Sequence, residues 1–267
     1  MEYKSHYGNL DFEKKGHVAY LTFNNPKTLN ALSVACFRAL NELFDQFKQD
    51  KDIWGIILTG AGRSFIAGAD LSDEFAGADQ GPVDSVRDIR LYIQETLNKI
   101  ADCPQPTVAA INGYALGGGA ELALCCDFRF ASNKAKIGFP EVKLGGIPGY
   151  TGPSRATKIL GPTAAKEMIM TGKHYTAQEA YELRYVTKVT EPENLIPAAE
   201  EFLETIMKQA QVAVRYGKFM VDRSMEMSLD AALEYERMIS ILLTRTEDYK
   251  EGMAAFREKR RPMFQNK

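Results

Sequence analysis

Apolar and polar residues alternate along Leu10 to Glu13 and again along His17 to Phe23, with Lys14-Lys15-Gly16 between them. That two-residue period predicts a β-hairpin. The period changes after Ser33. Phe37, Leu40, Leu43, Phe44 and Phe47 recur at helical spacing, so a helix with Ser33 as its N-cap is expected to run to about Lys48. Ile53 to Thr59, IWGIILT, reads as a buried strand that leads into GAGRSFIAGADLSDE, a loop of small residues. Val86, Ile89, Tyr92, Ile93, Leu97 and Ile100 predict a second helix from Pro82 to about Ala101. A connection rich in Gly and Asp, between Phe75 and Asp84, precedes it, and Pro104 and Pro106 end it. Thr107 to Ile111 and Phe128 to Ala131 read as strands flanking a short apolar helix pattern.

Strands that are apolar throughout, each followed by a glycine-rich loop and then a helix, imply an α/β fold of stacked ββα units. Ile137 to Tyr150, IGFPEVKLGGIPGY, is an irregular segment of glycine and proline around Glu141. Helical patterns follow in TGPSRATKILG, PTAAKEMIMTG and TAQEAYELRYV, and from Pro197 onward the pattern is almost wholly helical. Met and Leu on the outward positions of these last helices suggest an oligomer interface.

The chain is organised around Asn112 to Asp127, NGYALGGGAELALCCD. Three consecutive glycines admit unusual dihedrals and the close approach of a ligand to bare N–H groups. The helix is expected to begin where the glycines end. Its first turn has unpartnered N–H groups and partial positive charge, which would stabilise a carbonyl oxygen becoming an oxyanion. Glu121 would sit one turn into that helix, close to the bound group. These residues alone are equally compatible with a tight turn and a solvated Glu.

Lys plus Arg number 33 against 35 for Asp plus Glu, so no global field recruits nucleic acid or an acidic membrane, and an anionic ligand must be held by local charge. The cysteines Cys36, Cys103, Cys125 and Cys126 form no CxxC and have no His cluster beside them, which argues against a zinc site. They read as small buried hydrophobes in a reducing compartment. No run approaches the ~18 apolar residues of a membrane span, and MEYKSHYGNLDFEKK resembles no export signal. A cytoplasmic protein is expected.

Five ordered segments, NNPKTLNAL, FIAGADL, NGYALGGGAELALCCDFRFAS, FPEVKLGGIPG and EGMAAFREKR, resemble the crotonase (enoyl-CoA hydratase/isomerase) superfamily over nearly the whole chain. The resemblance implies a spiral of ββα units over residues 1–196 and a helical oligomerisation region over 197–267, assembled as a homotrimer or a pair of trimers. It implies acyl-CoA thioester substrates and no metal or redox cofactor, with neither nucleic acid nor membrane as partner. It places an oxyanion hole at the backbone N–H groups of Ala69 and Gly118, and the two catalytic carboxylates of the hydratase branch at Glu121 and Glu141. Glu121 would activate water and Glu141 would exchange the α-carbon proton. Lys27, Leu29, Ala67, Gly68, Asp70, Leu71, Gly117, Pro140, Gly149 and Tyr150 would line the substrate site, with Phe256 and Lys259 reaching a neighbouring subunit's nucleotide.

The activity implied is syn hydration of a short- or medium-chain 2-enoyl-CoA. The alternatives are double-bond isomerisation, reaction of a specialised branched or aromatic acyl-CoA, and a non-catalytic acyl-CoA or RNA-binding relative. After GGIPG the family's small, glycine-rich continuation is replaced by Tyr150-Thr151-Gly152-Pro153-Ser154-Arg155. A large phenol beside the catalytic loop would shorten or reshape the acyl pocket.

Overall fold

The protein is described from a computed structural model covering residues 3–7, 9–70 and 83–267. Leu71 and the Gly- and Asp-rich connection up to Pro82 lie outside the described residues. The hairpin forms as β2 (Leu10–Lys15) and β3 (Val18–Phe23), antiparallel with Leu10 opposite Phe23, and closes at Gly16 with φ of +55°. A strand that the sequence pattern does not announce, β1 (Tyr3–Tyr7), adds to its edge.

From β3 the sheet continues in parallel through β4 (Gly55–Gly60), β6 (Thr107–Ile111), β8 (Phe128–Ser132) and β11 (Lys188–Thr190). The resulting order is β1-β2-β3-β4-β6-β8-β11. Every residue of β6 is buried, as expected for a parallel strand covered on both faces, and this explains its continuous apolar run. Between β3 and β4 runs α1 (Val34–Gln49), where Ser33 Oγ accepts the Cys36 N–H at 3.2 Å and Phe37, Leu40, Leu43, Phe44 and Phe47 are all buried. α2 (Val83–Ala101) precedes β6.

A second sheet is made of very short strands, β5 (Ser64–Ile66), β7 (Tyr114–Leu116), β9 (Lys136–Gly138) and β10 (Tyr175–Thr176), in the order β10-β9-β7-β5. From its strand ends depart α3 (Gly118–Ala123), after β7, and a 3-10 helix (Pro140–Leu144), after β9. α4 (Gly152–Leu160), α5 (Pro162–Thr171) and α6 (Ala177–Glu182) follow, the last opened by a Thr176/Glu179 capping box. The C-terminal pattern resolves into α7 (Leu195–Met207), α8 (Gln211–Ser224), α9 (Leu229–Leu243) and α10 (Glu247–Glu258).

The chain divides into two compact units, residues 1–103 with 107–199, and residues 104–106 with 200–267. The first contains both sheets. In the second, Lys218 Nζ donates to the Gln105 carbonyl at 3.3 Å, and the buried Asp248 carboxylate accepts the N–H groups of Gln265 and Asn266 at 2.7 and 2.9 Å. Leu229, Leu233, Tyr235, Met238, Ile241 and Leu242 of α9 are exposed.

The glycine run departs from expectation in one respect. α3 does not begin where the glycines end; Gly118 and Gly119 are its first two residues and Gly117 is its N-cap. Only Gly117, at φ +52° and ψ −123°, needs a conformation closed to side chains. Gly119 is required by packing instead, because a Cβ there would lie 2.1 Å from the Ile66 carbonyl oxygen. The helix is thereby seated directly on β5.

Candidate active site

The short sheet brings the site together by register. β5 and β7 run parallel with Ile66 opposite Ala115, and β7 and β9 run parallel with Leu116 opposite Gly138. Three residues beyond Ile66 is Ala69, three beyond Ala115 is Gly118, and three beyond Gly138 is Glu141. Parallel strands release their loops on the same side, so segments 49 and 23 residues apart in sequence emerge together. The Gly117 N–H donates to the Gly138 carbonyl at 2.9 Å, and a Cβ built on Gly117 would lie 3.8 Å from Gly68 Cα.

The expected oxyanion donors are unengaged. A parallel bridge joins Leu32 to Ala69, but its hydrogen bonds run from the Leu32 N–H to the Gly68 carbonyl and from the Asp70 N–H to the Leu32 carbonyl, each at 2.9 Å. The N–H of Ala69 itself has no acceptor among the described residues. Gly118 is the first residue of α3, so its N–H lacks an intrahelical acceptor and likewise finds none among the described residues. Both amides belong to segments whose neighbouring backbone groups are fixed, so they are preorganised donors.

Glu121 is the fourth residue of α3 and 2% exposed. Its Oε1 accepts three backbone N–H groups, from Tyr150 and Thr151 at 2.9 Å and from Gly152 at 2.6 Å. Burial pushes its pKa up, while these three amides and the Arg90 guanidinium pull in the opposite direction. Three N–H donors at one oxygen hold the carboxylate orientation and favour its charged form.

Glu141, in the 3-10 helix, turns towards the glycine run, and a Cβ on Gly117 would lie 2.8 Å from its Oε1. Its Oε2 is buried with no hydrogen-bond partner. Burial first, and the charge of Glu121 after it, push its pKa up to about 7. An orphaned buried carboxyl oxygen beside a second carboxylate is a site prepared for a proton and for a ligand.

Tyr150 covers Gly118. Its Cε2 is 2.9 Å from where a Gly118 Cβ would be, its ring meets Phe37 edge-on at 5.6 Å between centroids, and only 6% of the residue is exposed. The phenol is therefore packed inward, with the buried core, over the first turn of α3. Below α3, buried Arg129 donates to the carbonyls of Tyr185, Cys126 and Ala123 at 2.6, 2.7 and 3.4 Å, and the Tyr185 hydroxyl donates to the Ala120 carbonyl at 2.6 Å. These groups satisfy carbonyls in and just after the helix that carries Glu121.

The sequence matches the enoyl-CoA hydratase/isomerase family over residues 13–267. It is 37% identical to the short-chain-enoyl-CoA hydratase of Clostridium acetobutylicum, over 95% of this chain and 96% of that one. It is 37% identical to the crotonyl-CoA hydratase of Syntrophomonas wolfei, over 98% and 99%. The fold superposes on the crystal structure of an enoyl-CoA hydratase from Bacillus anthracis with a TM-score of 0.91 at 36% identity, covering 97% of this chain and all of that one. The chain belongs to the enoyl-CoA hydratase/isomerase family.

Other residues expected at the site of this family member fall into three groups. Leu29, at φ +56°, holds the Ala67 N–H on its carbonyl at 3.1 Å, which joins the first loop to the segment leaving β5; Gly68, at φ +119°, turns that segment. Lys27 stands exposed on the preceding 3-10 turn, Pro140 opens the 3-10 helix of Glu141, and Gly149 lies against the Arg90 guanidinium. Phe256, on α10, and Lys259, its left-handed C-cap at φ +53°, belong to the second compact unit, and Phe256 is 80% exposed. Among the described residues no cluster of His, Cys, Asp or Glu could hold a metal ion. None of the four buried thiols is in a disulfide, and burial pushes the Cys36 thiol up to about 12, as for a packing group and not a nucleophile. Sequence pattern missed Arg90 and the amides of Thr151 and Gly152; a lone Arg on an amphipathic helix carries no signal that it faces Glu121.

Proposed function

We propose that this protein is an enoyl-CoA hydratase that adds water reversibly across the 2,3 double bond of a short- or medium-chain 2-enoyl-CoA. The thioester oxygen accepts the N–H groups of Ala69 and Gly118, and each such donor contributes about 2.7–4 kcal/mol once negative charge grows on that oxygen. Glu121 takes one proton from water as its oxygen attacks the β-carbon, and Glu141 delivers its proton to the α-carbon. The proton on Glu121 then returns to Glu141, so one water is consumed. Each carboxyl group supplies roughly 10²–10⁴-fold.

The observation that carries this reading is the unpartnered, buried Oε2 of Glu141 with its raised pKa, across the glycine run from a Glu121 fixed by three amides. A carboxyl that keeps its proton near neutrality can act as an acid where Glu121 acts as a base. The buried Tyr150 ring against Gly118 supports a pocket shaped for shorter acyl chains. Exposed apolar side chains of α9 support association into a homotrimer or a pair of trimers, and four buried cysteines without a disulfide suit a cytoplasmic location.

The test is hydration of crotonyl-CoA, followed by loss of the conjugated enoyl-thioester absorbance, in the wild type, E121Q and E141Q. Each variant is expected to lose at least about 10²-fold in kcat. Turnover of a 3-enoyl thioester alone would replace hydration by isomerisation. Binding without turnover in the wild type would remove catalysis altogether.

A further inference from the structure

The turn that grips Glu121 is itself held from outside. Gly149 and Tyr150 immediately precede and begin the run of amides bonded to Glu121 Oε1. Against both of them lies one side chain from α2, Arg90. Its guanidinium carbon is 5.8 Å from the Tyr150 ring centroid, and a Cβ on Gly149 would fall 2.3 Å from its Nη1. Gly149 has no left-handed φ, so the absence of a side chain there serves the approach of Arg90 and not a turn conformation.

We propose that Arg90 is a positioning residue for the hydration reaction, clamping the Gly149–Gly152 turn so that Glu121 stays ionised and aimed at the substrate. The inference rests on the functional reading above. A guanidinium over the Tyr150 ring lends the turn a positive charge and a neighbour to pack against. The other titratable groups facing Glu121 are Glu141 from the 3-10 helix, Cys125 just beyond the end of α3, and Tyr185 after α6, while Arg155 of α4 acts on Cys125. Among these Arg90 is the cation whose charge bears on Glu121 itself, and it opposes the upward push of burial.

The experiment compares wild type, R90Q, R90K, G149A and the R90Q/G149A double variant in the full-length protein, by the pH dependence of kcat/KM on crotonyl-CoA. Losing the positive charge raises the proton affinity of Glu121, so the acid limb moves to higher pH. Because Arg90 is exposed, a shift of about half to one pH unit is expected in R90Q. Gly149→Ala should displace the flexible guanidinium and reproduce that shift with Arg90 still present. The double variant should shift no further than either single one, R90K should recover part of the shift, and KM should stay within about twofold.

An unmoved acid limb in R90Q overturns the proposal. So does a raised KM with an unmoved limb, which would make Arg90 a substrate contact, or an additive double variant. Infrared titration of the carboxylic C=O band that disappears in E121Q reads the protonation of Glu121 without turnover. If the wild type fails to hydrate crotonyl-CoA, the functional reading falls, and the R90Q shift of that band still decides the proposal.

Discussion

Replacing Glu141 by Gln should stabilise the protein, and only at neutral and alkaline pH. Burial, with the negative charge of Glu121 behind it, pushes the Glu141 pKa from 4.5 up to about 7. Between those two values the folded state holds a proton that the unfolded chain has released. Stability therefore falls as pH rises through that window and is fully retained below about pH 4.5. Unscreened, a shift of this size corresponds to about 3.4 kcal/mol at ~1.36 kcal/mol per unit. The side chain is only half-buried, and solvent screening reduces this to about 1–2 kcal/mol. Gln has nearly the same shape and cannot ionise. Urea unfolding of wild type and E141Q at one protein concentration should give similar stabilities near pH 4.5 and a gain of about 1–2 kcal/mol for E141Q at pH 8, roughly 2–8 °C in Tm for a chain of this size. A stability difference that is the same at both pH values would refute the raised pKa, and with it the role of Glu141 as the proton donor.

Gly119→Ala forces a methyl group to within 2.1 Å of the Ile66 carbonyl oxygen and 2.7 Å of Ile66 Cβ, and should cost about 3 kcal/mol or more in denaturant unfolding, with activity lost in proportion to the displacement of α3. Arg129→Leu takes the guanidinium donors away from the buried carbonyls of Tyr185 and Cys126, and about 3 kcal/mol of destabilisation is expected by the same assay. Tyr150→Ala removes the ring that covers Gly118; rates across enoyl-CoAs from four to sixteen carbons should shift toward longer chains, and an unchanged profile would show that the ring does not bound the acyl group.

The large sheet and α1 are legible in the sequence because their signals are long. Five apolar positions on one face and a serine cap define α1, and the unbroken apolar runs of β4 and β6 reflect burial on both faces. The short sheet is not legible: β5, β7 and β9 are three residues each, too few for a two-residue period to be distinguished from a loop, yet their parallel pairing releases the segments of Ala69, Gly118 and Glu141 on one side. Glu121 can be picked out by its place after the glycines. Its three amide partners lie 29 to 31 residues further on, and no local pattern announces such a contact. The glycine run itself stands out in the sequence, but its cause does not, since two of the three glycines are demanded by neighbours, Tyr150 and Ile66, and not by dihedral angles.

The arrangement of two amides and two carboxyl groups is tested most directly by a crystal structure of E141Q with an enoyl-CoA bound. The account predicts a thioester oxygen about 2.7–3.1 Å from the N–H nitrogens of both Ala69 and Gly118, with the Glu121 carboxylate beside the β-carbon and residue 141 beside the α-carbon. A thioester carbonyl turned away from those two amides, or an acyl chain lying outside the space between residues 121 and 141, would contradict it.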